Sequence, residues 1–330
     1  MKKLEFDKLV ETLKDLTGKR VLITFHSVAD TDCVSSAFGL KLLLKNAELA
    51  TPDIVTANSR RILSTFGFDP ETVSVKFDND AEAVVLVDVN NFDDCGQFAQ
   101  RLKDFKGTVL IIDHHINFDI NSDNVLAYNR ESYNSATSIV YEVLKNTGIT
   151  IDANMAKLLA AGIISDSAEL QNASGQTLLQ LGTLLTIANM DYPSITASIT
   201  HVSDPEARKR TINDLQEATV EVVQGLLFMH GMAHAHANLA ADHAIKIGAD
   251  LALFSAENER EVSFSARLRP LLDKERNLHL GAIMKRLGPI INGSGGGHPC
   301  AAGAYGPLKE RARDFIDMFI TEITSNISVK

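Results

Sequence analysis

The sequence predicts an α/β protein built from a doubly wound parallel sheet and a second, smaller α/β domain. Three observations carry that reading. Short, continuously apolar runs alternate with helix-like segments, which is the rhythm of βαβ units. Three of the apolar runs end on an acid or an imidazole: Val21–Phe25 before His26, Val84–Val87 before Asp88, and Val109–Ile112 before Asp113, His114 and His115. A glycine-rich stretch from Asn292 to Gly303 lies far downstream, beyond a segment containing Pro193, Pro205 and many Ser and Thr residues.

Taken in order, residues 5–16 have helical apolar spacing and stop at Gly18. The first strand ends at Phe25, and a helix is expected over about 33–46. Residues 53–57 and 72–77 read as short strands around a helix at 59–67. The Asp88 strand follows, then a helix near 94–105, then the strand that delivers Asp113. Ser135 is placed to cap a helix running to about Lys145. A further helix is expected at about 152–165, with Asp166 at its apolar end, and another at 174–190. Residues 191–205 read as an interdomain connection and 205–227 as a connecting helix. Strands at 231–238, 250–256 and 261–267 and helices near 277–287 and 307–325 complete the chain. The expected domains are therefore 1–190, a connecting region 191–230, and 231–330.

Composition sets limits on function. The chain has 330 residues, 45% hydrophobic and 22% charged, as in an ordinary globular protein. Cys33, Cys95 and Cys300 form no paired pattern, which suits a reducing, cytoplasmic setting. The first residues lack the apolar core of a signal peptide, and no run approaches a membrane span. The net charge of −10 argues against wrapping long nucleic acid, which favours basic faces. Residues 231–330 hold 12 Lys and Arg against 11 Asp and Glu, so the acidic excess lies in residues 1–230. That asymmetry fits a metal-binding first part and an anion-binding second part.

The chemistry concentrates at strand ends. His26, Asp30 and Asp32 bring three ligand-type groups into seven residues between a strand and a helix. One acid would serve as a helix cap, but a cap requires neither a second acid nor His26. Asp166, at the end of an apolar helix, needs a cation. With Asp88, His114 and His115 these residues read as the ligand set of a two-metal site. Carboxylates and imidazoles without thiolate favour hard ions such as Mn²⁺ or Mg²⁺. Two such ions about 3.5–4 Å apart activate a water for attack on a phosphate ester or anhydride. Downstream, Gly295, Gly296 and Gly297 leave backbone N–H groups able to cradle phosphate, His298 adds a donor, and Arg267 and Arg269 supply guanidinium groups. His230, His234, His236 and His243 form a separate cluster, read as surface or substrate-lining histidines rather than a third metal site.

These motifs resemble the DHH phosphoesterase superfamily over nearly the whole chain. Asp113-His114-His115 matches the eponymous motif. His26-x3-Asp30-x-Asp32 with Ser36, then Asp88, then Gly162 to Asp166 match the others in order, and Gly295 to His298 with Ala301 to Gly303 resemble the DHH-associated domain. Ala29, Thr31 and Ser167 depart from the usual Pro, Gly and Thr, none of them at a ligand position. The resemblance implies that His26, Asp30 and Asp88 hold one Mn²⁺ and that Asp32, Asp88, His114 and Asp166 hold the other, with Asp88 shared. It implies catalytic roles for His115 and Asp113, and substrate contacts from Ser36, Arg267, Arg269, Gly295, Gly296, Gly297 and His298 in a cleft between the domains. The branch resembled includes nanoRNases and pAp phosphatases, so the expected substrate is a short single-stranded oligonucleotide or a nucleotide phosphate such as pAp. RecJ-type exonucleases and cyclic-dinucleotide phosphodiesterases are the rivals, and a non-enzymatic nucleotide sensor or assembly subunit is the reading from another class. No membrane is expected as a partner; a homodimer is compatible with the reading.

Overall fold

A computed structural model describes residues 1–115, 120, 122–200, 205–234 and 236–326. The chain divides into two compact units, Met1–His201 and Val202–Lys330. In the first, β1 (Lys2–Lys3) and α1 (Phe6–Asp15) precede β2 (Val21–Thr24), whose four residues are all buried. Then come β3 (Val28–Ala29), α2 (Thr31–Leu43), β4 (Ala47–Ala50), β5 (Ile54–Val55), α3 (Ala57–Thr65) and β6 (Val73–Ser74). β7 (Ala83–Val87), α4 (Ala99–Asp104), β8 (Thr108–Asp113) and β9 (Val125–Asn129) follow, and α5 (Ala136–Thr147), α6 (Ala153–Asp166), α7 (Gly175–Ala188) and α8 (Tyr192–Ile199) complete the unit.

Seven strands form one sheet in the order β1-β9-β8-β7-β2-β4-β6, every pairing parallel. The chain runs outward from β2 through β4 and β6, then returns to β7 on the other side of β2. That reversal lies between β2 and β7, and such a switch point opens a crevice at the strands' carboxyl ends. Register aligns those ends, with Thr24 opposite Leu86 and Val87 opposite Ile112. His26, Asp88 and the Asp113–His115 segment therefore leave the sheet along one edge. Continuous burial of β2, β7 and most of β8 explains their lack of polar alternation.

Helices α2, α5 and α6 pack together closely enough to need a glycine. A Cβ at Gly162 would sit 2.4 Å from Thr137 Oγ1 and 2.8 Å from Ser35 Cβ. The crossing brings the first turn of α2 and the start of α5 against α6, one turn before Asp166.

The second unit contains α9 (Pro205–Glu217), β10 (Thr219–Val223), β11 (Leu226–Met232), α10 (Ala237–Lys246), β12 (Leu251–Glu257), β13 (Val262–Leu268), α11 (Leu272–Glu275), α12 (Leu280–Leu287), β14 (Ser294–Gly297), β15 (Ala301–Gly306) and α13 (Ala312–Asn326). Its sheet order is β10-β11-β12-β13-β15-β14, antiparallel except for β11 against β12. One apolar cluster includes Leu251, Phe264, Ile283, Phe315 and Phe319. Another, rich in alanine, includes Ala240, Ala241, Ala244 and Phe254.

Several expectations change. Residues 192–199 are not a connection but α8, whose Asp191 side chain caps it by accepting the Ser194 N–H, with Pro193 near its start. Proline in a first helical turn is favourable, so it marked a helix start; residues 201–204 of the expected connection lie outside the described residues. The helix expected to Leu227 ends at Glu217, and the hairpin β10–β11 follows, turning through Gln224 and Gly225, both at positive φ. The strand expected at 231–238 is β11, ending at Met232, so the second unit's sheet begins before Gly231; residue 235 lies outside the described residues.

Filling the helix crossing tests this packing. Gly162→Ala should lower stability by about 1–3 kcal/mol in denaturant unfolding, through overpacking; an unchanged midpoint would show that α6 can move off α5 freely.

Candidate metal centre

β2 ends just before His26, and α2 begins immediately after Asp30. Asp30 is the N-cap of α2, its Oδ1 accepting the Cys33 N–H at 3.0 Å. The cap uses one oxygen only. Asp30 Oδ2 stands 3.9 Å from His26 Nε2. Capping and ligation, alternatives in the sequence, are compatible in the structure.

Asp88 follows β7 with φ of 58°, a left-handed conformation costly for most residues but tolerated by Asp. Its carboxylate is 4% exposed and its two oxygens face different groups. Oδ2 lies 3.6 Å from His26 Nε2 and 3.5 Å from Cys33 Sγ. Oδ1 lies 3.3 Å from His114 Nε2 and 3.5 Å from His115 Nδ1. His114 Nε2 is also 3.1 Å from Asp166 Oδ2. Asp88 Oδ1 and His114 Nε2 are nevertheless buried without a hydrogen-bond partner. Close approach without hydrogen-bond geometry is what donors aimed at a common cation would show.

Asp32 is 1% exposed and does two things. Its oxygens accept the backbone N–H groups of Ala136 at 2.7 Å and Thr137 at 2.9 Å, at the positive end of α5. The same carboxylate is grouped with His114 and Asp166, one donor atom from each lying within 4.8 Å of the others. Asp113 is fully buried, its Oδ1 2.8 Å from His115 Nδ1 and its Oδ2 accepting Asn129 Nδ2 at 3.0 Å. Asn129 also donates to the His115 carbonyl at 3.0 Å. Asp113 therefore orients His115 through the ring nitrogen it touches, and Asn129 orients Asp113.

Electrostatics follow from four acids in one buried place. Burial, then Asp88 and Asp166, push the Asp32 carboxyl well above the usual carboxylate range. Burial lifts Asp166 to about 7 against the opposing pull of His114. Burial opposes the charged form of Asp88 as well, yet His114 and His26 hold it well below that range. For His114, burial works against protonation, but Asp88, Asp166 and Asp32 raise its ring to about 10. Without a cation, the cluster must keep protons.

The structure brings together His26, Asp30, Asp32, Asp88, Asp113, His114, His115 and Asp166. It also adds two residues absent from the sequence reading. Cys33 lies in the group of His26, Asp30 and Asp88, a thiol beside donors that were expected to act without one. Its position in the first turn of α2 turns Sγ toward Asp88, and burial followed by the nearby acids pushes its thiol well up. Asn129 lies at the end of β9, opposite Asp113 in register; the unread strand hid it.

Other sequence candidates lie elsewhere. Ser36 is fully buried, its Oγ 3.1 Å from Thr137 Oγ1, joining α2 to α5. In the second unit, Arg267 Nε donates to Asp242 of α10 at 2.5 Å and Arg269 Nε to Asp250 at 2.8 Å. Within the glycine-rich stretch, Ser294–Gly297 form the edge strand β14. A Cβ at Gly295 would stand 2.2 Å from the Met284 carbonyl oxygen, so β14 needs glycine there to lie against α12; Gly296 has open space around it. His298 is exposed just beyond that strand. His230 pairs with Glu221, His234 with the buried Asp214, and His243 with the Leu239 carbonyl. His236 is the N-cap residue of α10 without a side-chain capping bond, so the other three histidines serve separate local contacts.

The parallel sheet with an acid–imidazole edge, followed by a second sheet domain, defines the class: a DHH-family phosphoesterase. Residues 20–163 match the DHH family, N-terminal domain, and residues 226–325 the DHHA1 domain, and the chain belongs to this family. It is 28% identical over 306 residues to an uncharacterized protein of Methanocaldococcus jannaschii, covering 90% of each chain. It is 30% identical over 159 residues to a probable manganese-dependent inorganic pyrophosphatase of Streptococcus agalactiae, covering 45% of this chain and 48% of that one. The chain thus matches about half the length of the pyrophosphatase. An exopolyphosphatase-related protein from Bacteroides fragilis superposes with a TM-score of 0.78 at 14% identity, covering 97% of this chain and 96% of that one. Exonuclease RecJ bound to manganese superposes with a TM-score of 0.51 at 12% identity, covering 98% and 95%. At those identities the likeness is one of fold. No helix among the described residues is long and apolar enough to cross a membrane.

The charge arrangement gives a pH test. A carboxyl raised to about 7, such as Asp166, stabilises the metal-free fold below the ordinary carboxylate range and loses that contribution as pH rises through about 7. His114, raised to about 10, contributes fully below the ordinary histidine range and loses its contribution as pH rises through about 10. A bound cation replaces those protons, so its benefit grows in the same direction. The rise in melting temperature on adding Mn²⁺ should therefore be larger near pH 8 than near pH 6. A shift that shrinks with rising pH would contradict displacement of protons from Asp166 and His114.

Proposed function

We propose that this protein is a metal-dependent phosphoesterase with two divalent ions, Mn²⁺ or Mg²⁺, acting on short oligonucleotides or nucleotide phosphates such as pAp. One observation carries the reading: the buried Asp88 carboxylate turns one oxygen toward His26 and the other toward His114 and His115. A carboxylate so placed would be able to serve two cations at once. His26, Asp30 and Asp88 would hold one ion; Asp32, Asp88, His114 and Asp166 would hold the other. Bound there, the ions would supply Lewis acidity toward a phosphoryl oxygen and would acidify a water for in-line attack.

The protein's own part is orientation and charge. Asp88 stays ionised among its imidazoles, and Asp32 is locked by two N–H groups of α5, so neither must reorganise as substrate arrives. His115, held by Asp113, would donate a hydrogen bond to a phosphoryl oxygen or to the leaving group. Asp113 raises its affinity for a proton, although burial works the other way. In the second unit, Arg267, Gly295, Gly296, Gly297 and His298 are proposed as substrate contacts. Arg267 would have to exchange Asp242 for a substrate phosphate, which makes its contact specific rather than a mere counter-charge. Arg269 is exposed and bound to Asp250, so its contribution should be smaller.

One feature favours a nucleotide over pyrophosphate, and another favours a small substrate over a long one. The matched pyrophosphatase is similar over 45% of this chain, whereas residues 226–325 match a DHHA1 domain. A net charge of −10 favours a small substrate over long nucleic acid.

The test is phosphate or nucleotide release with Mn²⁺ from pAp, a ladder of very short RNAs, a cyclic dinucleotide, pyrophosphate and long single-stranded DNA. Preference for pAp and the shortest RNAs is expected. Efficient digestion of long DNA would favour a RecJ-like exonuclease, and silence on all five with metal bound would favour a nucleotide sensor. Asp88→Asn, which keeps a residue tolerant of positive φ, should abolish turnover with the circular dichroism spectrum unchanged; retained turnover would sink the shared-carboxylate assignment. Asn129→Ala should slow turnover about 10–100-fold through loss of His115 orientation while leaving the metal-induced thermal shift in place. Equal turnover in that variant would remove Asn129 from the mechanism.

A further inference from the structure

The two donor groups at the sheet edge differ in hardness. Asp32, His114 and Asp166 offer only oxygen and nitrogen, whereas His26, Asp30 and Asp88 are joined by the sulfur of Cys33, with one donor atom from each residue lying within 4.8 Å of the others. Cys33 is fully buried, and its Sγ is 3.5 Å from the same Asp88 oxygen that faces His26. The cap that Asp30 Oδ1 places on the Cys33 N–H fixes the start of α2, so Asp30 Oδ2 and Cys33 Sγ are presented together. One sulfur, one imidazole and two carboxylates make a four-donor set of the kind that suits Zn²⁺ or Co²⁺ in tetrahedral geometry.

We infer that Cys33 is the fourth donor of the His26, Asp30 and Asp88 position, which therefore takes a thiophilic divalent ion of the Zn²⁺, Co²⁺ or Cd²⁺ class, while the Asp32, His114 and Asp166 position takes a harder one. This rests on the metal-centre reading above and replaces Mn²⁺ or Mg²⁺ with a softer ion at that one position only. Ligation forms a metal–sulfur bond, and the thiol proton passes to solvent. The consequence is a site able to hold two unlike ions, with the softer one selected by a single side chain.

Titration of the metal-free, full-length protein with Co²⁺ distinguishes the cases. The expected result is visible d–d absorption together with an intense near-ultraviolet thiolate-to-cobalt band. Cys33→Ser should lose the near-ultraviolet band and keep the d–d absorption. A Cys95→Ser/Cys300→Ser protein, with Cys33 as its sole thiol, should keep both, which retains the test if Cys33→Ser does not fold. In competition against Mn²⁺, Cys33→Ser should lose at least about tenfold in Zn²⁺ preference. Visible absorption without the near-ultraviolet band in the unaltered protein would overturn thiol ligation and leave the metal centre standing. Absence of any Co²⁺ signal, or of binding by calorimetry, would overturn both.

Discussion

Four carboxylates gathered at one end of a parallel sheet, with Asp32 and Asp88 buried, are the constraint on which the first unit depends. Asp30 and Asp32 reach the site from the start of α2, Asp88 from the end of β7 and Asp166 from the end of α6, and their mutual repulsion is tolerated because each is held by a neighbouring group. Asp30 caps α2, Asp32 is gripped by the start of α5, and Asp88 lies between imidazoles. Asp166 ends α6, where the fold offers it His114. Holding like charges this way costs stability in the absence of a cation and supplies affinity in its presence. A buried set whose charge is balanced only by added ions is organised for binding rather than for stability.

The backbone around the site carries related costs. Asp88 is left-handed, and Ala168, Glu169 and Leu170 follow Asp166 with φ of 52°, 54° and 71°. Their N–H partners, with Gln171 donating to the Ala168 carbonyl and Ala173 to that of Leu170, form a short left-handed turn. Strain of about 1–2 kcal/mol per such residue is carried where it stops α6 directly after Asp166. Close packing does comparable work behind the site, since Gly162 is what lets α6 approach α5 and α2, the helix that bears Asp32 and Ser36.

The second unit obeys a different logic. In β14, Gly295 is explained by the closeness of α12, and Arg267 and Arg269 are already paired with acids. A glycine-rich motif in a sequence therefore does not by itself indicate a phosphate cradle. Here backbone-to-backbone packing accounts for Gly295, leaving Gly296 without a steric requirement.

How much was legible in the sequence can be argued residue by residue. The apolar runs before His26, Asp88 and Asp113 determined three parallel strands, because a strand buried on both faces admits no polar alternation. A capping side chain made some helix starts legible, as at Ser135 before α5, but Asp191 before α8 was read as part of a connection. The βα rhythm and the strand-end acids together also placed the site at a sheet edge. What spacing could not reveal was set by contacts between distant segments. Asn129 meets Asp113 through sheet register across 16 residues of chain. Asp32 meets the α5 N–H groups across 104 and 105 residues. The role of Cys33 depends on Asp88 being brought to it across 55 residues. Local pattern determined which elements form and which donors they carry; only the tertiary structure decided which oxygen of each acid faces which partner, because that depends on the pairing of strands and the crossing of helices.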